Sequence, residues 1–228
     1  MTSFPLLDFA PLLLEGLGWT VLLALASACG ALVMGALLLL LHRSGVRALQ
    51  RLAVAYGVVF RSVPELIVLL ALYFGGSVVI KGITDLLGLK PVAFSPFVVG
   101  VVGLSLSFGA FVGEVLRGTW AQIPAGDIDA GRSLGMGRWL RVRRLMLPQI
   151  VRLALPGLGN LFLVLLKDTA LVSVISVPEL MRQTQVAVGT TGMPFVFYFA
   201  AAGLYLIVTL LSTAVLRRGE AWARRGYA

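Results

Sequence analysis

Residues 127–148 read DIDAGRSLGMGRWLRVRRLMLP, and they do not belong with the chain on either side of them. Two acids, Asp127 and Asp129, open the stretch, and five arginines follow: Arg132, Arg138, Arg141, Arg143 and Arg144. Glycines punctuate it at 131, 135 and 137. The rest is apolar: the 23 residues 19–41, for example, carry no charge. The reading of the fold turns on why a greasy chain keeps a polar, basic insert in its middle.

The chain has 228 residues, of which 59% are hydrophobic and 13% charged, with a mean hydropathy of +0.97. Soluble domains carry about 25% charged residues. This is a membrane composition, and the length allows about five spans joined by short loops. The net charge of +9 would point to nucleic acid in a soluble domain, but here the basic residues fall between apolar runs, so no nucleic-acid partner is expected. Cys29 is the single cysteine and His42 the single histidine, which excludes an intrachain disulfide and offers no metal cluster.

Five apolar regions are predicted as spans: 19–41, 52–80, 96–115, 150–177 and 194–216. Each is long enough to cross about 30 Å of hydrocarbon. The first has no basic segment before it and reads as a retained helix rather than a signal peptide. The second is broken by Arg61, Pro64 and Glu65. Gly109 and Gly113, spaced G-x-x-x-G, and the pair Gly157 and Gly159 predict close helix packing. No half of the chain repeats the other, which argues against a carrier built from inverted repeats.

Lys and Arg gather on the cytoplasmic side of a membrane. With five spans, one side holds fourteen: Arg43, Arg47 and Arg51, then Arg117 to Arg152, then Arg217, Arg218, Arg224 and Arg225. The other holds three, Lys81, Lys90 and Arg182. The expected topology puts the N-terminus outside, the C-terminus inside and the opening stretch in the cytoplasm.

Within that stretch, Pro124-Ala125-Gly126 is a break, and Asp127 suits an N-cap or first-turn position, where backbone N–H groups are unpaired. A short helix through Leu134 would stop at Gly135, since glycine takes the left-handed conformation without penalty. A second helix over 138–147 would end before Pro148. The insert reads as helix, glycine turn, helix. Loops of this length are functional or disordered, and this one is not of low complexity. It is either a docking element for a cytoplasmic partner or a basic amphipathic segment lying on anionic lipid.

The spacing Asp129-Ala130-Gly131, three residues, Gly135, nine residues, Leu145-Met146-Leu147-Pro148 resembles the EAA loop of ATP-binding-cassette importer permeases, with Asp for Glu, Gly for the second Ala and Leu for Ile. Arg61-Ser62-Val63-Pro64-Glu65-Leu66 is similar to a segment of the polar amino-acid permeases, with Ser62 where those have glycine. Residues 154–160, residues 167–175 and the step Glu114-Val115-Leu116-Arg117-Gly118 resemble the same family. The nearest group is the histidine/lysine/arginine/ornithine and opine type. The resemblance implies an all-α, five-span type I importer transmembrane fold in one permease domain, 1–228, with residues 118–149 as its cytoplasmic loop.

The resemblance also implies partners: ABC ATPase subunits, a second permease subunit (identical or paralogous) and an extracytoplasmic amino-acid-binding protein, all at the inner membrane of a bacterium. Asp127, Asp129, Ala130, Gly131, Gly135 and Pro148 would then couple the ATPase to the spans. The substrate would be a polar, cationic amino acid or an opine.

No G-x-x-x-x-G-K-[ST] occurs, so ATP must be hydrolysed elsewhere, and the chain itself is expected to be no enzyme and to need no cofactor. Gly135-Met136-Gly137 fails as a dinucleotide motif because position 140 is Leu. Ser173 and Ser176 have no histidine within a span. Arg61, Glu65, Glu114, Lys167 and Asp168 are ionisable residues inside or at the end of spans, where charges face a cavity or a partner. They are candidates for the substrate pathway and equally for ion pairs that fix packing: Arg61 with Glu65, and Glu114 with Arg117. Lys167 and Asp168 point about 100° apart and cannot line one surface. The alternative function, a channel or ion-driven carrier, would require no docking loop.

Overall fold

The computed structural model describes residues 5–87 and 95–224. Lys90 and Arg225, which enter the charge asymmetry, lie outside the described residues. No strand occurs among the described residues. Five helical segments are long and apolar enough to cross a membrane: Leu6–His42, Glu65–Leu86, Pro96–Ala121, Arg138–Ile175 and Pro194–Ala223. Their number and order are those read from the apolar runs, but three of their boundaries differ for physical reasons.

Helix α1 (Pro5–His42) has 38 residues and starts well before residue 19. Leu6, Phe9, Leu13 and Leu17 recur at helical spacing and pack with Leu180, Ala187, Phe197 and Ala201. This amphipathic extension escapes a search for uncharged runs because Asp8 and Glu15 sit on its other faces.

The second apolar region is two helices, not one. Helix α2 (Arg47–Ser62) stops because Pro64 disfavours the helical conformation of the residue before it, and Val63 is extended (φ −95°, ψ 128°). The span proper begins at α3 (Glu65–Leu70) and continues through a π turn (Ala71–Gly75) into α4 (Gly76–Leu87).

Helix α5 (Pro96–Ala121) has Pro at its first turn, where the missing N–H costs nothing, and forms the centre of the bundle. It packs against α1, α2, α3 and the helix after the loop. The α1–α5 contact is the most intimate. A Cβ on Gly35 would lie 2.4 Å from Val112 Cγ1 and 2.9 Å from the backbone N of Gly113; one on Gly109 would lie 2.7 Å from Met34 Cβ. The G-x-x-x-G at 109 and 113 is thus met by a third glycine on the facing helix. Small residues let backbones approach where lipid supplies no hydrophobic drive between helices.

After the loop, α8 (Leu147–Asp168) leads into a 3-10 turn (Thr169–Ile175). Leu165, Leu166 and Val172 from this segment close the core with Leu23, Leu104 and Phe108. Helix α9 (Leu180–Thr191) is short and ends at Gly192 in the left-handed region (φ 68°). Helix α10 (Pro194–Arg224) runs along the outside, its exposed leucines suited to lipid.

The helix contact makes a quantitative prediction. Gly18, on the same helix, has nothing within 4 Å of a built Cβ. Gly18→Ala should leave the thermal midpoint of the detergent-purified chain unchanged or slightly higher, because alanine favours helix. Gly35→Ala meets backbone that cannot give way and should destabilise by about 1–3 kcal/mol. Equal midpoints for the two variants would refute the close approach.

Candidate functional site

Two regions carry the polar chemistry: the loop between α5 and α8, and the charges within the bundle. The loop begins with α6 (Ala125–Ser133), whose N-cap is Pro124 with no side-chain cap. Asp127 is therefore not the N-cap; the helix starts two residues earlier, and Asp127 occupies its first turn, where a negative charge faces the positive end of the dipole. It accepts a hydrogen bond from Gln149 Nε2 at 2.8 Å, which ties α6 to α8. Asp129 pairs with Arg132 at 2.8 Å on the solvent side. Ala130 is exposed.

The helix ends as its glycine predicts. Gly135 has φ +71° and donates to the Arg132 carbonyl at 2.9 Å, while Met136 N–H donates to the Gly131 carbonyl at 3.0 Å. This is the Schellman pairing, which satisfies two otherwise orphaned carbonyls. Gly131 is buried: a Cβ there would stand 2.7 Å from Leu145 Cδ1 and 3.2 Å from Arg141 Cγ. A side chain at 131 would have to displace Leu145, so glycine in place of the second alanine of the EAA pattern suits the close packing of the next helix. Ile128 anchors the inner face beside Ile123, Met146 and Ile150. The outer face presents Leu134, 81% exposed, and beyond the turn Trp139, 75% exposed.

The second helix does not end before Pro148. Helix α7 (Arg138–Arg141) passes into a π turn (Val142–Met146) and straight on into α8, where Pro148 lies in the first turn. In an uninterrupted α-helix the proline ring would clash with the Arg144 carbonyl. The π turn, with hydrogen bonds one residue longer, absorbs that clash and keeps the rod continuous.

The candidate pathway charges form two groups, and Arg61, in α2, lies before the span that begins at Glu65 rather than within it. Arg61 does not pair with Glu65, because the break at Val63-Pro64 separates them. Its Nε donates to the Gly57 carbonyl at 2.9 Å, and its guanidinium lies 3.5 Å from Glu114. Glu114 also bonds Arg117, one turn on, through Arg117 Nε at 3.2 Å and a second, shorter contact from Nη2. This Arg61–Glu114–Arg117 cluster lines a cavity with His42, where α1, α2 and α5 meet. Glu65 begins α3, and Asp168 ends α8, half-buried; the two are close enough to act on each other electrostatically, since α3 packs on the 3-10 turn. Lys167 beside it is exposed. The five residues thus make two sites rather than one.

Glu179, which the apolar runs and motifs did not single out, is fully buried. It caps α9 by accepting from the backbone N–H of Met181 (2.9 Å) and Arg182 (2.8 Å), and from the Tyr205 hydroxyl at 3.1 Å. Thr20 of α1 contacts it at 3.4 Å and accepts from Leu180 N–H at 3.1 Å. Burial pushes the Glu179 carboxyl up from its ordinary value, against the pull of these hydrogen bonds. One side chain joins α1, α9 and α10. The signal was an acid directly before a helical run, masked by its position among apolar residues.

The described residues form a five-span helical bundle with a helix–turn–helix loop between its third and fourth spans. The chain belongs to the family described as binding-protein-dependent transport system inner membrane component, which matches residues 30–221. It is 38% identical to the nopaline transport system permease protein of Agrobacterium fabrum over 94% of this chain and 92% of that one. It is 42% identical to the arginine ABC transporter permease protein of Escherichia coli over 73% and 76%. The fold matches a crystal structure of an amino acid ABC transporter with histidines, at a TM-score of 0.81 and 30% identity over 97% of this chain and 99% of that one. An inward-facing methionine ABC transporter shares the fold at a TM-score of 0.76 and 21% identity. The chain is thus a multi-pass inner-membrane permease subunit of type I importer fold and not an enzyme; ATP hydrolysis lies on separate subunits, and a binding protein completes the system.

Proposed function

We propose that the chain forms half of the translocation pathway of an importer for polar, cationic amino acids or opines, paired with a second permease subunit, identical or paralogous. The observation that carries this reading is the α6–Gly135–α7 strut. It is pinned at Asp127 by Gln149, anchored at Ile128, and continuous with α8 through the π turn. A groove on the ATPase subunit would receive its exposed face around Ala130 and Leu134. Motion of the strut then moves α8, whose far end carries Asp168 and the 3-10 turn. The names of the relatives, transporting nopaline and arginine, support the substrate class.

The orientation that goes with this puts residues 118–149 and the C-terminus in the cytoplasm and the N-terminus outside. In a Cys29→Ser background, an Ala130→Cys variant should react with an impermeant thiol reagent only in inside-out vesicles. Labelling in intact cells would reverse the topology.

Coupling has its own test. Gly135→Ile forces a β-branched side chain into positive φ, where it is strained. The subunits should still assemble, but transport should fall at least about fivefold, since a strain of 1–3 kcal/mol displaces the turn, and ATPase activity should no longer respond to the binding protein. Normal transport would dismiss the strut.

A cationic substrate needs an acid along its path, because an unpaired charge at depth costs at least about 2.5–3.5 kcal/mol. Glu65 and Asp168 are the neighbouring pair that offers it. Glu65→Gln and Asp168→Asn, each checked for assembly, should depress uptake of cationic more than neutral amino acids. Wild-type uptake of both classes in both variants would leave the acids structural and selection to the binding protein.

A further inference from the structure

Behind α6, on the side facing the bundle, lies a cavity of about 480 Å³ that the transport reading does not use. Four arginines from three parts of the chain line it: Arg43, just past α1; Arg132 of α6; Arg138 and Arg141 of α7. Among the described residues, no carboxylate lines it. Arg132 shares its charge with Asp129, outside the cavity. Four like charges around one cavity repel unless an anion sits among them. The Arg141 Nη1 is buried and finds no hydrogen-bond partner among the described residues, although its aliphatic stem is held against Gly131. Buried donors are ordinarily satisfied, so an orphan of this kind marks an acceptor's place. Trp120 forms another wall, with Arg43 stacked 4.9 Å over its ring.

The apolar side of the cavity chooses among anions. Leu40 of α1 lines it and is exposed; Leu37 and Val33, also exposed, lie three and seven residues back on the same helix face. An apolar stripe therefore leads from the arginines along the first span, as an acyl chain would run from its headgroup. An acidic side chain of a partner protein would meet the outer face of α6, not this inner one. We infer that the arginine-lined cavity between α1, α6 and α7 holds the phosphodiester headgroup of an anionic lipid, whose acyl chain lies along Val33, Leu37 and Leu40. The lipid ties the strut to the first span. Tryptophan and arginine at the membrane interface suit this contact, and basic pockets between spans select anionic headgroups.

The test is lipid titration of the delipidated permease complex, read by native mass spectrometry. Phosphatidylglycerol should occupy one tight site per chain, with phosphatidylcholine of the same acyl chains at least about fivefold weaker. Arg43→Gln and Arg141→Gln should each weaken phosphatidylglycerol about five- to tenfold. The pair Arg217→Gln and Arg218→Gln, basic residues of α10 outside the cavity, should leave it unchanged. Should Arg141→Gln fail to assemble, Arg138→Gln, on the exposed helix, reads the same site. Millimolar inorganic phosphate should not displace the lipid. Equal binding of the two lipids, equal losses in the α10 variant, or displacement by phosphate, which would make this a free-anion site, each overturns the inference.

Discussion

The close approach of α1 and α5 at Gly35, Gly109 and Gly113 is the constraint on which the remaining architecture depends. In lipid the surroundings are as apolar as the helices, so association rests on packing and on the few polar contacts available. Placing the two backbones against each other gives α5 a fixed face toward α1 and frees its other faces for α2, α3 and α8. The Arg61–Glu114–Arg117 cluster follows from this, because it sits where α2 crosses the pair. The loop follows too: α5 ends beside the end of α1, so Arg43 and Trp120 meet there and fix where α6 starts.

Glu179 plays the matching part at the other end. Its carboxylate gathers donors from α9, α10 and α1, beside the direct hydrogen bond from Leu180 N–H to Thr20. A buried acid with this many partners is costly to place and specific once placed. Between the glycine contact and this hub, α1 is held along nearly its whole length.

Much of this was legible in the sequence where the signal was local. Apolar runs, two of them free of charge, located the five spans, and the glycine spacing at 109 and 113 located the tight contact. The left-handed Gly135 and the turn it makes were readable because no other residue takes that conformation as cheaply. What failed was what depends on distant partners. The first turns of α1 are helical because of Leu180 and Phe197, far along the chain. Arg61 chose Glu114 over Glu65 because the proline break turned it away. Pro148 looked like an end, since one proline cannot tell a stop from a π turn. The buried role of Glu179 needed Thr20 and Tyr205 to be brought to it. Among the candidate site residues, Asp127, Gly131 and Gly135 shape one helix and its turn, whereas the ionisable residues divided into two groups.

The π turn at 142–146 has a further consequence, one of phase. An added residue in the hydrogen-bond ladder rotates everything after it by about 100° relative to an unbroken α-helix. Arg138 and Ile150 would stand about 120° apart on an unbroken α-helix and come to within about 20° of one another across the turn. Val142 and Met146 of the turn line the cavity under α6 with Arg138 and Arg141, Ile150 packs beside Met146 and Ile128, and Leu165 of the same rod lies in the core of the bundle. The turn thus carries the loop-facing stripe of α7 on into α8, and in the proposed coupling role that shared stripe would let the strut and the rod move as one body.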